Sequence, residues 1–154
     1  MRKNEMYMSF LADSVNESLA RITVAAFAME LNPTMEEIED IRTSVSEAVT
    51  NAIIHGYEEK EGMVEIHCVL LDRLLHIEIK DNGKGIPSKD LPNIFERFFR
   101  SDVSRNSAQG GSGIGLSIVK KIIEDHGGYI WATSKEGEGT CMHFVLRKYQ
   151  EAKE

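Results

Sequence analysis

The chain has 154 residues, 42% of them hydrophobic and 28% charged, with only 3 prolines, which is the composition of one soluble globular domain. Its formal net charge of −7 argues against a general nucleic-acid binder. No apolar run approaches the roughly 20 residues that span a bilayer, and the opening M-R-K-N-E-M-Y-M has no secretory core, so the expected setting is the cytoplasm, with no membrane partner.

Residues 5–12 alternate well enough for a first strand. Ser14 and Glu17 have the capping-box offset, and Leu19, Ile22, Ala26 and Met29 give a helical period over 15–31. After the turn N-P-T-M-E-E, Thr34 and Glu37 form a second capping pair. Met35, Ile38, Ile41, Val45, Ala48 and Ala52 then trace a core-facing stripe along a helix that ends at Gly56. Strands are expected over 63–71 and 74–80, joined at Asp72-Arg73, followed by the glycine turn D-N-G-K-G-I-P. L-P-N-I-F-E-R-F-F-R (91–100) reads as a short aromatic helix and 101–112 as a polar loop. A helix over 113–126, opened by glycines, precedes a closing hairpin of 129–134 and 140–146. This order implies an α/β two-layer sandwich with helices on one face of a mixed sheet.

Three stretches carry chemistry. Glu47, Asn51 and His55 fall at i, i+4 and i+8, one above another on a helix face. A carboxamide oxygen is a hard neutral ligand suited to Mg²⁺, and an adjacent carboxylate can take a proton from an attacking hydroxyl or water. A solvated helix face explains the same pattern, and His55 also suits a cap or a packing role. Asp81 closes a strand just before Asn82-Gly83, where a buried carboxylate can accept a hydrogen bond from the exocyclic amine of adenine; a plain β-turn is the alternative. Gly110-Gly111-Ser112-Gly113-Ile114-Gly115 leads into a helix, an arrangement that offers backbone N–H groups to phosphate. It fits neither G-x-x-x-x-G-K-[ST] nor G-x-G-x-x-G, so it is a nucleotide loop of another kind or a hinge. Lys89, Arg97, Arg100 and Arg105 form a basic group in an acidic chain, poised for a phosphate or an acidic partner, or merely solvated. Cys68 and Cys141 lack ligand spacing and read as packed thiols.

Taken in order, E-x-x-x-N on a helix, D-x-G-x-G after a strand, a Phe-rich helix, a polar loop, G-x-G-x-G before a helix and G-x-G-T in the last hairpin form a specific set. It resembles the GHKL, or Bergerat-fold, ATP-binding superfamily of gyrase, heat-shock chaperone, histidine kinase and mismatch-repair ATPases, over about residues 5–147. The resemblance implies a mainly antiparallel sheet in a single domain over 1–154. Residues 3–57, including S-E-A-V-T-N-A-I-I-H-G-Y-E, are similar to the sporulation anti-sigma factors of the SpoIIAB type, which are serine kinases. I-F-E-R-F-F-R-S-D and G-G-S-G-I-G-L-S-I-V-K-K-I-I-E-D-H-G-G-Y-I-W are similar to sensor histidine kinase catalytic domains, with Phe95, Phe98 and Phe99 matching their aromatic box. Where the anti-sigma factors place an arginine before S-G-x-G, this chain has Gly111. It therefore reads as a hybrid, natural or engineered, joined near 58–81.

The resemblance implies ATP (with ADP as product) and Mg²⁺ as cofactors. It implies Glu47 as general base, Asn51 as the metal ligand and Asp81 as the adenine reader. Gly83, Gly85, Ile86, Gly111, Gly113, Gly115, Leu116 and Thr140 would line the nucleotide. It also implies a sigma factor and an anti-anti-sigma substrate as partners, and a homodimer. Histidine kinases commonly carry Asn where Glu47 stands, and a serine hydroxyl, unlike an imidazole, needs a proton acceptor beside it. None of the five histidines heads a further helical hairpin, so autophosphorylation is not expected. The expected function is an ATP-dependent serine kinase and anti-sigma factor. The alternatives are an excised histidine kinase module, or a nucleotide-gated binding protein or engineered hybrid without a physiological substrate.

Overall fold

The computed structural model describes residues 3–56, 62–97, 99 and 115–147. Five strands, β1 (Lys3–Leu11), β2 (Met63–Leu71), β3 (Leu74–Asp81), β4 (Tyr129–Lys135) and β5 (Gly139–Arg147), form one sheet in the order β1-β2-β3-β5-β4. The expected mixed sheet narrows to antiparallel pairing at each described neighbour. Alternation explains the layering. Val64, Ile66, Cys68 and Leu70 of β2, Leu75, Ile77 and Ile79 of β3, and Met142, Phe144 and Leu146 of β5 are buried on one face. Three helices share that core: α1 (Glu17–Ala28), α2 (Met35–Gly56) and α3 (Gly115–Asp125). None of the described helices is long and apolar enough to cross a membrane.

The capping pair at α2 is reciprocal. Thr34 N–H donates to Glu37 Oε1 at 2.8 Å, and Glu37 N–H donates to Thr34 Oγ1 at 3.1 Å. Ile41, Val45, Ala48 and Ala52 are buried as their period predicts, joined by Val49, but Met35 is 79% exposed in the first turn. Ahead of α1 the capping side chain is Asp13 rather than Ser14. Its carboxylate accepts from Val15 N–H and opens a 3-10 turn over Ser14–Asn16. The helical period of α1 is as read, but its buried face is the other one. Ala20, Val24, Ala25 and Ala28 face inward, while Leu19 (51% exposed), Ile22 (57%), Ala26 and Met29 (58%) face out. Small residues let α1 lie close against α2, and the larger side chains are left outside. The aromatic segment is shorter than expected: a 3-10 turn, Leu91–Asn93, whose leading Asp90 makes no side-chain cap. Burial of Ile94, with Phe95 and Phe99 against the core, holds it instead. Phe98, Arg100 and the loop 101–112 lie outside the described residues.

Two contacts set the direction of α2 against α3. His126 Nε2 lies 2.7 Å from Asp40 Oδ2, just beyond the end of α3 and early in α2. Glu47, later in α2, abuts Gly115 at the start of α3. The helices are therefore antiparallel. Asp40 and His126 line an apolar cleft with Leu75 and Leu146, so that end sits over the start of β3.

Candidate functional site

Asp81 ends β3 on its inward-facing side and is only 7% exposed. Gly83 N–H donates to its Oδ1 at 2.9 Å, and the Thr140 N–H also bonds the carboxylate. Burial pushes its pKa up, and the two N–H groups pull against that rise. A carboxylate has about four lone-pair sites, so two donors leave acceptor capacity for a ligand amine.

The glycine turn is stitched to the last hairpin. Gly85 has φ +76°, and a Cβ there would collide with the Lys135 carbonyl. Gly139 has φ +122°, and a Cβ there would collide with the Asp81 carbonyl and lie 2.8 Å from Asn82 Cα. Both positions need glycine for conformation and for space. Ile86 N–H donates to Ser134 Oγ at 2.7 Å; Ser134 Oγ in turn donates to the Gly139 carbonyl at 2.8 Å. Thr140 Oγ1 lies 2.9 Å from Ser134 Oγ, and Gly137 N–H donates to the Lys84 carbonyl at 2.7 Å. Asp81, Gly83, Gly85, Ile86 and Thr140 thus form one unit.

Glu47 belongs to a second unit. It is half-buried on α2, and a Cβ on Gly115 would overlap its Oε2 and lie 3.2 Å from its Cδ. Glycine at that position is what leaves room for the carboxylate. Asn51 lies one turn further along the same helix face, half-buried, and Leu116 packs against the core beside Gly115. Gly111 and Gly113, the side chain of His55, and Arg105 lie outside the described residues. Lys89 and Arg97 are exposed. The two thiols are free, and burial raises their pKa values to about 12 for Cys68 and about 11 for Cys141, which leaves them protonated and inert.

Sequence reasoning missed Ser134 and Gly139 as supports of this site. Ser134 is the small polar residue next to the end of β4, shortly before the G-E-G-T turn. Only the sheet register reveals that it reaches Ile86, 48 positions away in sequence.

A donor set of one buried carboxylate with spare acceptor capacity, one carboxamide late in α2, one carboxylate against the start of α3, and glycines at close approaches fits an adenine nucleotide with a divalent ion. Comparison with known proteins agrees on the nucleotide. The family model described as histidine kinase-, DNA gyrase B-, and HSP90-like ATPase matches residues 36–150. The chain is 46% identical to an anti-sigma F factor of Clostridium acetobutylicum over 96% of its own length and 95% of that protein's. It is 44% identical to one of Bacillus licheniformis, covering 93% and 92% of the two chains. A mycobacterial sensor histidine kinase, MprB, superposes with a TM-score of 0.61 at 31% identity, covering 71% of this chain and 73% of that one. The catalytic domain of histidine kinase ThkA shares the fold at a TM-score of 0.61 and 24% identity, covering 93% and 96%.

Proposed function

The chain belongs to the histidine kinase-, DNA gyrase B-, and HSP90-like ATPases and, within them, to the anti-sigma F factors, and from that membership we propose that it is an ATP-dependent serine kinase that also sequesters a sigma factor. The observation that carries the serine reading is Glu47, a carboxylate on α2 held against a glycine at the start of α3. A hydroxyl acceptor needs a base at that place; an imidazole acceptor does not. Asn51 would hold Mg²⁺, and Asp81 would accept the purine amine. Gly83, Gly85, Ile86, Gly111, Gly113, Gly115, Leu116 and Thr140 would line the nucleotide. ATP with Mg²⁺ supplies the phosphoryl group and its charge neutralisation. The chain's own residues position the acceptor and take its proton.

The alignment with one anti-sigma F factor over 96% of this chain and 95% of that protein supports a single domain over 1–154. A cytoplasmic setting, a sigma factor as ligand and an anti-anti-sigma protein as phosphoryl acceptor follow from the same membership. The outward stripe of α1 supports self-association. Val15, Leu19, Ile22 and Met29 expose apolar surface on the side away from the core, and β1 beside it is a sheet edge.

Glu47→Ala tests the catalytic reading. With an anti-anti-sigma protein as acceptor, ATP binding should persist while acid-stable serine phosphate falls by about 100- to 10,000-fold, the range for loss of a general base. Undiminished transfer removes Glu47 from the role. Acid-labile label on a phosphoacceptor-histidine domain would support the histidine reading instead.

A further inference from the structure

The face of the sheet turned away from the helices carries a row that no part of the nucleotide site uses. In register across all five strands stand Tyr7, His67, Glu78, His143 and Trp131. The row is close to symmetric. Tyr7 stacks on His67 with centroids 3.9 Å apart, Trp131 stacks on His143 at 4.8 Å, and Glu78 lies between the two imidazoles. His76, two residues before Glu78 on the same strand, faces the same way and completes a triangle of donor atoms.

The edges of that triangle are informative. His76 Nε2 is 3.4 Å from His143 Nδ1, Glu78 Oε1 is 3.6 Å from His76 Nε2, and Glu78 Oε1 is 3.7 Å from His143 Nδ1. A tetrahedral ion with bonds of about 2.1 Å holds its ligand atoms about 3.4 Å apart, and the three edges exceed that by at most about 0.3 Å. The three atoms therefore already stand where one face of a tetrahedral ion would need them. We propose that His76, Glu78 and His143 form a binding site for a late first-row divalent ion, Zn²⁺ foremost, with a fourth position open to solvent.

Two features favour a metal over a simple hydrogen-bonded pair. All three donors sit on adjacent central strands, β3 and β5, whose ladder fixes their spacing at little cost in order. The second ring nitrogen of His143 lies 3.4 Å from Thr133 Oγ1, which orients the ring with Nδ1 toward the cluster. The other oxygen of Glu78 lies 3.8 Å from His67 Nδ1, which places a further imidazole on the far side of the carboxylate. Two imidazoles and one carboxylate select Zn²⁺, Ni²⁺, Cu²⁺ or Co²⁺ over Mg²⁺, which takes oxygen ligands. The site is therefore distinct in chemistry from the one read at Asn51, and the two are independent.

The chain contains one tryptophan, and it stacks on a proposed ligand, so the protein carries its own reporter. The experiment uses the full chain without an affinity tag, in excess Mg²⁺. Titration with Ni²⁺ should quench Trp131 fluorescence at one ion per chain, Zn²⁺ should compete for the same site, and Co²⁺ should give tetrahedral visible bands. His76→Gln and His143→Gln should each weaken Zn²⁺ binding by about 100-fold or more, with His126→Gln unaffected and ADP affinity unchanged in all three. Ring resonances of wild-type His76 and His143 should shift with Zn²⁺ while that of His126 does not, a measurement that needs no variant. Absence of stoichiometric binding, binding that survives both substitutions, or shifts that fall equally on His126 would each overturn the site.

Discussion

Asp81→Asn separates a carboxylate that reads a purine from one that only closes a turn. The wild-type side chain accepts from Gly83 N–H at 2.9 Å and from Thr140 N–H, and keeps a lone pair for a further donor. Asparagine has the same size but one acceptor oxygen. If that oxygen serves Gly83, its amide nitrogen opposes the purine amine; if it turns to the purine, it opposes the Gly83 N–H. One buried donor is left unpaired either way, at about 1–3 kcal/mol, which is about 5- to 150-fold in affinity for ATP and ADP. Stability should move differently. Burial raises the Asp81 pKa above its ordinary 3.8, so between those two values the native state holds more protons than the unfolded chain. Wild-type stability therefore falls as pH rises through that window. The full penalty of the buried charge is present above the folded pKa and absent below the ordinary one. The variant has no such dependence, so the difference in unfolding free energy, variant minus wild type, should rise from acid to neutral pH. Calorimetry with both nucleotides and urea melts across pH measure the two effects. Nucleotide affinity within about twofold of wild type, or a stability difference that falls toward neutral pH, would refute the reasoning.

The glycines of the last hairpin offer a graded test: Gly139→Ala, which meets the Asp81 carbonyl, should cost about 1–3 kcal/mol in urea melts and also weaken ADP binding. Gly137→Ala has φ +82° but open space around it, and should cost only about 1 kcal/mol with ADP affinity retained. Ile22→Glu on the outward stripe of α1 should weaken self-association by about 10-fold or more in sedimentation equilibrium. Its thermal stability should hold, because Ile22 is 57% exposed and lies outside the core.

Local patterns carried most of the architecture. The reciprocal pair Thr34 and Glu37, the alternation in β2 and β3 and the apolar period of α2 each act through near neighbours, and, Met35 in the first turn of α2 apart, each formed as the sequence implied. The misjudged face of α1 has a different origin. Periodicity states that a helix has two faces, not which one is inside. Four small residues, Ala20, Val24, Ala25 and Ala28, won the interior because α2 packs close, against the larger Leu19, Ile22 and Met29. Size alone pointed the wrong way. The outward stripe is consequently more than a misread core: it is apolar surface that the monomer leaves in water.

The candidate site divides along the same line. Asp81 and its glycine turn are contiguous in sequence and could be read directly. The lock that holds them is not contiguous: Ser134 reaches Ile86, and Gly139 passes against the Asp81 carbonyl, only because β5 lies beside β3 with Thr140 opposite Asp81. The same register sets Glu78 opposite His143 on the other face. One strand pairing thus fixes the Asp81 carboxylate toward the helices and the imidazole–carboxylate triangle on the opposite side. A shift of that pairing by one residue would exchange the two faces and abolish both arrangements together. The β3–β5 ladder, more than either motif it carries, is therefore the element on which the chemistry of both faces depends.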